Sequence, residues 1–283
     1  MIPADHQALY YAATRGAALC TIVGIDGSFS RRCGAQLAIG RDGTMAGDMA
    51  DNCLNSELAA QSQLAMADRK VRLLRYGKGS PFVDFRLPCG SGLDILIDPR
   101  PDRQMLQRAR DDLEARRPAS LPLPLPPQAS SPMAERRFMP ALRLLVMGSG
   151  AECDALARLA EAQGIAMDWR EAGKALHLGA VPAGLSADRW TAVLLLFHDH
   201  EWEHALLEWA VDMPCFYIGA QGGAPARTAR LERLAASGRD AEQLDRIRSP
   251  IGLIPRARDP AVLALSVLAD VVGAYEALHP HLS

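Results

Sequence analysis

The stretch "RRPASLPLPLPPQASSP", residues 116–132, most restricts how this chain can fold. Proline fixes φ and lacks a backbone N–H, so prolines at 118, 122, 124, 126, 127 and 132 leave room for neither a helix nor a central strand. The run reads as a polyproline-like linker. It divides the 283 residues into an N-terminal part, 1–115, a linker, 116–137, and a C-terminal part, 138–283, each large enough to hold its own core.

In the first part, "DHQALYYAATRG" has helical composition and ends on Gly16, and "AALCTIVGI" is a short apolar run of the buried-strand kind. "GAQLAIGRDGTMAGDM" predicts a hairpin turning at Arg41, Asp42 and Gly43. "NCLNSELAAQSQLAMA" predicts a helix with Asn52 as its N-cap. "KVRLLRYG" and "GLDILIDP" alternate as strands do, so this part is expected to be an α+β domain with a mostly antiparallel or mixed sheet.

The second part alternates strands and helices: "RLLVMGSG", "AECDALARLAEAQG", "IAMDW", "TAVLLLF", "EWEHALLEWAVD", "PCFYIG", then two further helical stretches. Such alternation predicts a Rossmann-like, doubly wound parallel α/β sheet.

Several functions are disfavoured at once. A net charge of −2 recruits neither nucleic acid nor an acidic membrane. The N-terminus lacks the apolar core of a signal peptide, and no apolar run is long enough to span a bilayer, so the cytoplasm is the expected compartment. The six cysteines are scattered without a C-x-x-C pair, which fits neither a disulfide framework nor a zinc ribbon.

Three regions could carry chemistry. Gly148-Ser149-Gly150 sits between a strand and a helix, where backbone N–H groups can cradle a pyrophosphate, although Cys153 replaces the third glycine of the fingerprint. Asp168, at the end of the next predicted strand, is placed as a ribose-binding acid would be. In "FHDHEWEH", His198, Asp199 and His200 stand at the carboxyl end of a buried strand, where open α/β sheets bind ligands. His200 and His204 have the i, i+4 spacing of a metal pair, but Asp199 and Glu201 equally suit a helix start and His204 a solvated face. In the first part, "DGSFSRRCGAQLAI" can present arginines and N–H groups to an anion, against an ordinary solvated loop. Cys53, near a helix start, could be a reactive thiolate, and so could Cys89 in its turn, unless both are small buried hydrophobes.

Taken together, "GSFSRRCGAQLAI", "GTMAGDMADNCLNSE", "LPCGSGLDILIDP", "LLVMGSGAECDALARLA", "FHDHEWEHALLEWA", "FYIGAQGGAPARTARLERL" and "IRSPIGLIPRARDPAVLALSVLADVV" resemble the XdhC/CoxI family, accessory factors of xanthine dehydrogenase and related molybdenum hydroxylases. The resemblance covers both parts and implies an N-terminal XdhC/CoxI domain followed by a Rossmann-like domain. It implies a maturation factor rather than an enzyme, one that binds molybdenum cofactor (molybdopterin) and passes it to an apo-molybdenum hydroxylase of the xanthine dehydrogenase type. Carried across, the candidate positions are Gly27, Ser28, Arg31, Gly34, Gly47, Cys53, Cys89 and Gly90, with Gly148, Gly150, Asp168, His198, Asp199, His200, Gly219, Arg248, Pro250 and Gly252.

The member is a divergent one. A Ser-Gly-Gly-Cys stretch is replaced by Ala50-Asp51-Asn52-Cys53, the histidine expected after Gly150 is Ala151, and the basic cluster after "YIG" is thinned to Arg227 and Arg230. Two other readings stay open: an NAD(P)-dependent oxidoreductase using the glycine loop, Asp168 and a histidine, and a metal-dependent hydrolase built on the histidines. A homodimer is also among the arrangements open to such a chain.

Overall fold

Helix α1, Gln7–Arg15, ends before Gly16 and hands the chain to β1, Ala17–Asp26. The computed structural model describes residues 2–49, 52–80, 90–127, 129 and 133–280, less the side chains of Asn52 and Cys53. It divides into two units, Ile2–Pro140 with the C-terminal residues from His279, and Ala141–Leu278.

In the first unit, β2 (Gln36–Gly40) and β3 (Met45–Gly47) make the expected hairpin, in which Asp42 accepts the Thr44 N–H. Helix α2 (Asn52–Asp68) begins where expected, while the N-cap reading of Asn52 concerns a side chain outside the described residues. Then come β4 (Arg72–Gly77), β5 (Gly92–Asp98) and α3 (Arg103–Glu114), which Asp102 caps through the N–H groups of Gln104 and Met105. The strand order is β3-β2-β1-β5-β4, and every neighbouring pair is antiparallel.

Period-two alternation decides the layers. Cys20, Ile22, Leu37, Ile39, Ile95 and Ile97 pack with Leu54 and Leu58 of α2. Leu19 and Ala38 point the other way, onto Leu9 and Ala12 of α1 and Leu106 and Ala109 of α3. The sheet is therefore covered on both faces.

The proline-rich stretch departs from the linker expectation. Ala119–Pro122 forms strand β6, paired antiparallel with β7, Glu135–Phe138. Ala119 and Leu121 are buried and Ser120 and Pro122 exposed, so the segment obeys strand alternation. In a two-stranded ribbon both strands are edges, and an edge tolerates proline because its missing N–H is not needed there. The ribbon belongs to the first unit, and the division falls between Pro140 and Ala141.

The second unit runs β8 (Arg143–Gly148), α4 (Ala151–Ala162), β9 (Ala166–Glu171), β10 (Thr191–Leu196), a short 3-10 turn at His200–Trp202 and α5 (His204–Asp212). It continues with β11 (Tyr217–Ala220), α6 (Ala224–Ala236), α7 (Ala241–Asp245), β12 (Ile247–Arg248) and α8 (Pro260–Glu276). Its five strands are all parallel in the order β12-β11-β10-β8-β9. Leu144, Val146 and Leu194 pack with α4 and α8, and Leu145, Met147, Val193 and Leu195 with α5 and α6, so the sheet is doubly wound. The order reverses between β8 and β10, and the crevice beyond their carboxyl ends is the ligand position of such sheets. Among the described residues, no helix is long and apolar enough to cross a membrane.

Candidate functional site

The crevice between β8 and β10 is lined first by glycines. Gly148 has φ 152°, and a Cβ there would lie 2.1 Å from the Leu196 carbonyl oxygen, so only glycine lets β8 and β10 pair at this point. Gly150, φ 110°, is the N-cap of α4, and its carbonyl accepts the N–H groups of Cys153 and Asp154. Gly148 thus serves the sheet and Gly150 the helix start, whatever else they do.

The first turn of α4 carries Glu152 and Asp154. Glu152, whose side chain is 12% exposed, folds back toward Gly150 and pairs with the exposed His198 across the crevice, Oε1 to Nε2 at 3.3 Å. A helix N-terminus attracts anions, and here a carboxylate of the chain itself stands at that position. The arrangement opposes a dinucleotide pyrophosphate and suits a group that donates hydrogen bonds.

Asp168 does not reach the crevice. Strand β9 extends two residues past the apolar run, so Asp168 pairs with Leu145 in mid-strand, and the acid opposite Gly148 is Glu171. Both Asp168 oxygens are held by Arg170, at 2.7 and 2.9 Å. The ribose-acid reading of Asp168 is corrected accordingly.

The histidines do not converge. His198 pairs with Glu152, His200 with Glu203 and His204 with Glu208, three separate carboxylates. Asp199 caps the 3-10 turn by accepting the Glu201 N–H at 3.0 Å. Among the described residues no group of three His, Cys, Asp or Glu side chains is disposed to hold a metal ion.

His200 opens onto a second, buried cluster. Its Nδ1–H donates to Glu203 Oε1 at 3.0 Å, and Glu203 Oε2 accepts from Arg230 Nε at 2.9 Å and Nη2 at 2.7 Å. Arg230 also donates to Ser249 Oγ at 2.5 Å and to the Gln221 carbonyl at 2.7 Å. The His200 ring lies over Gly222, where a Cβ would come within 3.0 Å of Cε1. Beside them Gln221 Oε1 is buried with no hydrogen-bond partner among the described residues.

Arg248 stands apart from both clusters. It bonds Asp270 at 2.7 Å and lies over the Tyr217 ring, and Tyr217 donates its hydroxyl to the same carboxylate at 2.7 Å. Burial and the Asp270 charge hold the Tyr217 hydroxyl well above its ordinary range, so it stays a donor. The loop after Arg248 is tied to α8, since the Ile254 N–H bonds Ser266 Oγ at 2.7 Å and Gly252 leaves no room for a side chain against Ser266.

In the first unit, Arg31 pairs with Asp48 in a cleft of about 400 Å³ that Arg32, Asp5 and Gln36 also line. The Ser28 carbonyl accepts from Ser91 Oγ. Cys53 lies in the first turn of α2 with its side chain outside the described residues, and Cys89 lies outside them altogether.

Residues 144–271 match the model of the XdhC Rossmann domain, and residues 11–77 that of the XdhC and CoxI family. The chain is 35% identical over 271 residues to the molybdenum cofactor insertion chaperone PaoD of Escherichia coli (strain K12), covering 91% of this chain and 83% of that protein. The chain belongs to the XdhC and CoxI family. A crystal structure of a xanthine dehydrogenase from Bacillus halodurans has the same fold at 18% identity, with a TM-score of 0.72 over 100% of this chain and 98% of that one.

Within this XdhC-type chain, reading the sequence for motifs finds Gly148, Gly150 and His198 at one crevice, names Arg230 only as the remnant of a basic cluster, and misses Glu152, Glu203 and Ser249. A signal for Glu203 is present. Leu206, Leu207 and Ala210 follow it at i+3, i+4 and i+7 and are buried, so Glu203 occupies the apolar face of its helix. A charge on that face requires a buried partner, and Arg230, four residues before the buried Leu234, has the matching position on α6.

Proposed function

We propose that this chain is an accessory maturation factor that binds molybdenum cofactor and helps deliver it to an apo-molybdenum hydroxylase of the xanthine dehydrogenase type. The observation that carries the reading is the 35% identity, along 91% of the chain, to a molybdenum cofactor insertion chaperone. The geometry agrees with holding a cargo rather than transforming one. The three histidines of the crevice side are tied to separate carboxylates, and the thiols of Cys20, Cys153 and Cys215 are pushed up by burial.

The residues present fit the cargo chemically. Molybdopterin carries N–H donors on its pterin ring and a phosphate on its side chain. Glu152, at the start of α4, is an acceptor for such donors in the second unit. Ser28, Gly148, Gly150, His198, Asp199, His200 and Arg248 are the further contacts implied by family position, with Asp168 reduced to a support through Arg170. Cys53 and Cys89 are assigned the soft-metal side of the cargo, since thiolate sulfur suits such a centre. The oxidoreductase alternative with NAD(P) is disfavoured by the Glu152 carboxylate at the start of α4.

Co-expression with a molybdenum hydroxylase tests the reading. The hydroxylase is expected to be fully metallated and active only when this chain is present, and the purified chain to carry pterin fluorescence or molybdenum. A hydroxylase that matures fully without it overturns the proposal, as does NAD(P)H-dependent turnover of a carbonyl substrate by the purified chain. Light scattering on the same material tests the homodimer.

A further inference from the structure

Helix α8 is apolar on every side. Between Pro260 and Tyr275 its single charge is Asp270, which is buried and bonded to Tyr217 and Arg248. The inner face packs Val267, Leu268 and Val271 into the core beside α4. The outer face exposes Ala261, Val262, Leu265 and Ala269, with Leu265 54% exposed. A helix that is hydrophobic all round is ordinarily buried all round. Helix α4, on the same side of the sheet, shows what a solvated face looks like, since Asp154, Arg158 and Glu161 point outward from it.

The apolar surface continues beyond the helix. The Leu253 N–H bonds the Ser266 carbonyl at 3.4 Å and the Ile254 N–H bonds Ser266 Oγ at 2.7 Å, so this loop runs beside Val262 and Leu265. Leu253 is 62% exposed and Ile254 44%. Four large apolar residues thus share one patch, and contiguous exposed patches mark association sites.

The pattern of the face indicates what covers it. Arg258, Val262, Leu265, Ala269, Val272 and Glu276 follow one another at steps of 4, 3, 4, 3 and 4, the spacing of a seam between two nearly aligned helices. All six are exposed or half-buried. The series is symmetric about Val267. Turned end for end against a copy of itself, it sets Leu265 against Ala269, a large residue against a small one, and Val262 against Val272. It also sets Arg258, just ahead of the Asp259 N-cap, against Glu276 in the last turn, a cation against an anion. Opposed helix dipoles favour the same antiparallel arrangement. A surface complementary to itself is what an interface across a two-fold axis requires.

We propose that the outer face of α8, flanked by Leu253 and Ile254, is the two-fold interface of a homodimer, with the two α8 helices antiparallel and in register about Val267. This rests on the homodimer named above and is independent of the cargo.

Sedimentation velocity of the full chain, from about 1 to about 100 μM, tests it. The parent chain is expected to be a dimer over the upper part of that range. Leu265→Lys, at an exposed helix position, should weaken association about a hundredfold or more, because the lost contact occurs twice in a symmetric pair. Leu64→Lys, at a comparably exposed leucine of α2, should change nothing. Tryptophan fluorescence in urea checks that the second unit of Leu265→Lys stays folded. Arg258→Glu and Glu276→Arg should each weaken the dimer about tenfold, and the two together should restore it to within about threefold of the parent. A parent chain that stays monomeric throughout overturns the homodimer and its face together. A dimer that withstands Leu265→Lys overturns the face and leaves the homodimer standing. A double charge reversal that binds no better than its single changes overturns the antiparallel register. A monomeric parent in which Leu265→Lys blocks only hydroxylase maturation overturns the proposal and gives the face to the client enzyme.

Discussion

Glu203 and Arg230 form a closed ion pair inside the second unit, joined by two hydrogen bonds of 2.9 and 2.7 Å with side chains only 2% and 4% exposed. The pair links α5 to α6, and through Ser249 and the Gln221 carbonyl it also holds the carboxyl ends of β11 and β12. Removing one partner strands the other charge in a buried site.

Glu203→Gln is therefore expected to destabilise the second unit by about 3–5 kcal/mol, while Glu203→Met with Arg230→Met costs less than either single change. All four tryptophans, Trp169, Trp190, Trp202 and Trp209, belong to this unit, so tryptophan fluorescence in urea reports it selectively. Additive effects of the two methionine changes would refute a coupled pair.

The sequence makes some of this legible and hides the rest for physical reasons. The crevice is readable because "TAVLLLF" is buried throughout and "HDH" follows at once, exposed. Asp168 misleads because β9 is an edge strand: Arg170 and Glu171 continue it with polar side chains, and the apolar run stops short of the strand. The β6 strand hides behind its prolines, since alternation of Ala119 and Leu121 is too short to outweigh them.

Glu152 governs what the start of α4 accepts. With its carboxylate at that position, NADH should not bind measurably below millimolar concentration. Glu152→Ala exposes the helix N-terminus and is expected to tighten pyrophosphate or NADH binding by up to about tenfold, the scale of a favourable helix-dipole interaction. NADH fluorescence enhancement measures it. Tight NADH binding by the parent chain, unchanged in the variant, would show that the carboxylate plays no excluding role.

The cysteines divide by burial. Burial pushes the thiols of Cys20 and Cys153 up to about 12 and that of Cys215 up to about 11, the last despite the nearby Arg246 charge. A thiol reacts as its thiolate, so these three should resist iodoacetamide at pH 8 in the native chain and label only on unfolding. Peptide mass spectrometry locates the label. Of the four cysteines whose side chains are described, the half-buried Cys33 should label first in the native chain, and rapid native labelling of Cys153 would contradict its place in the α4 core.

Acid should weaken the first unit in two stages. His6 is buried, donates from Nε2 to the Met139 carbonyl at 2.9 Å, and has its pKa lowered by burial, against the pull of Asp5. The unfolded chain then binds the proton more readily, so the stability due to neutral His6 is present above pH 6.5 and is lost as pH falls below it. Asp5 also resists burial: its hydrogen bond with His279 and the Arg136 charge hold it well below the ordinary carboxylate range. Its contribution is present above the ordinary value of 3.8 and is lost as pH falls below it. Urea unfolding followed by far-ultraviolet circular dichroism, with tryptophan fluorescence isolating the second unit, should show a first loss from about pH 6.5 downward, at most about 1.4 kcal/mol per pH unit for one proton. His6→Gln keeps an N–H donor for Met139 but cannot titrate, and should remove the slope between pH 7 and 5 while leaving the loss below pH 4. A slope between pH 7 and 5 that survives in His6→Gln would assign the titration to another group.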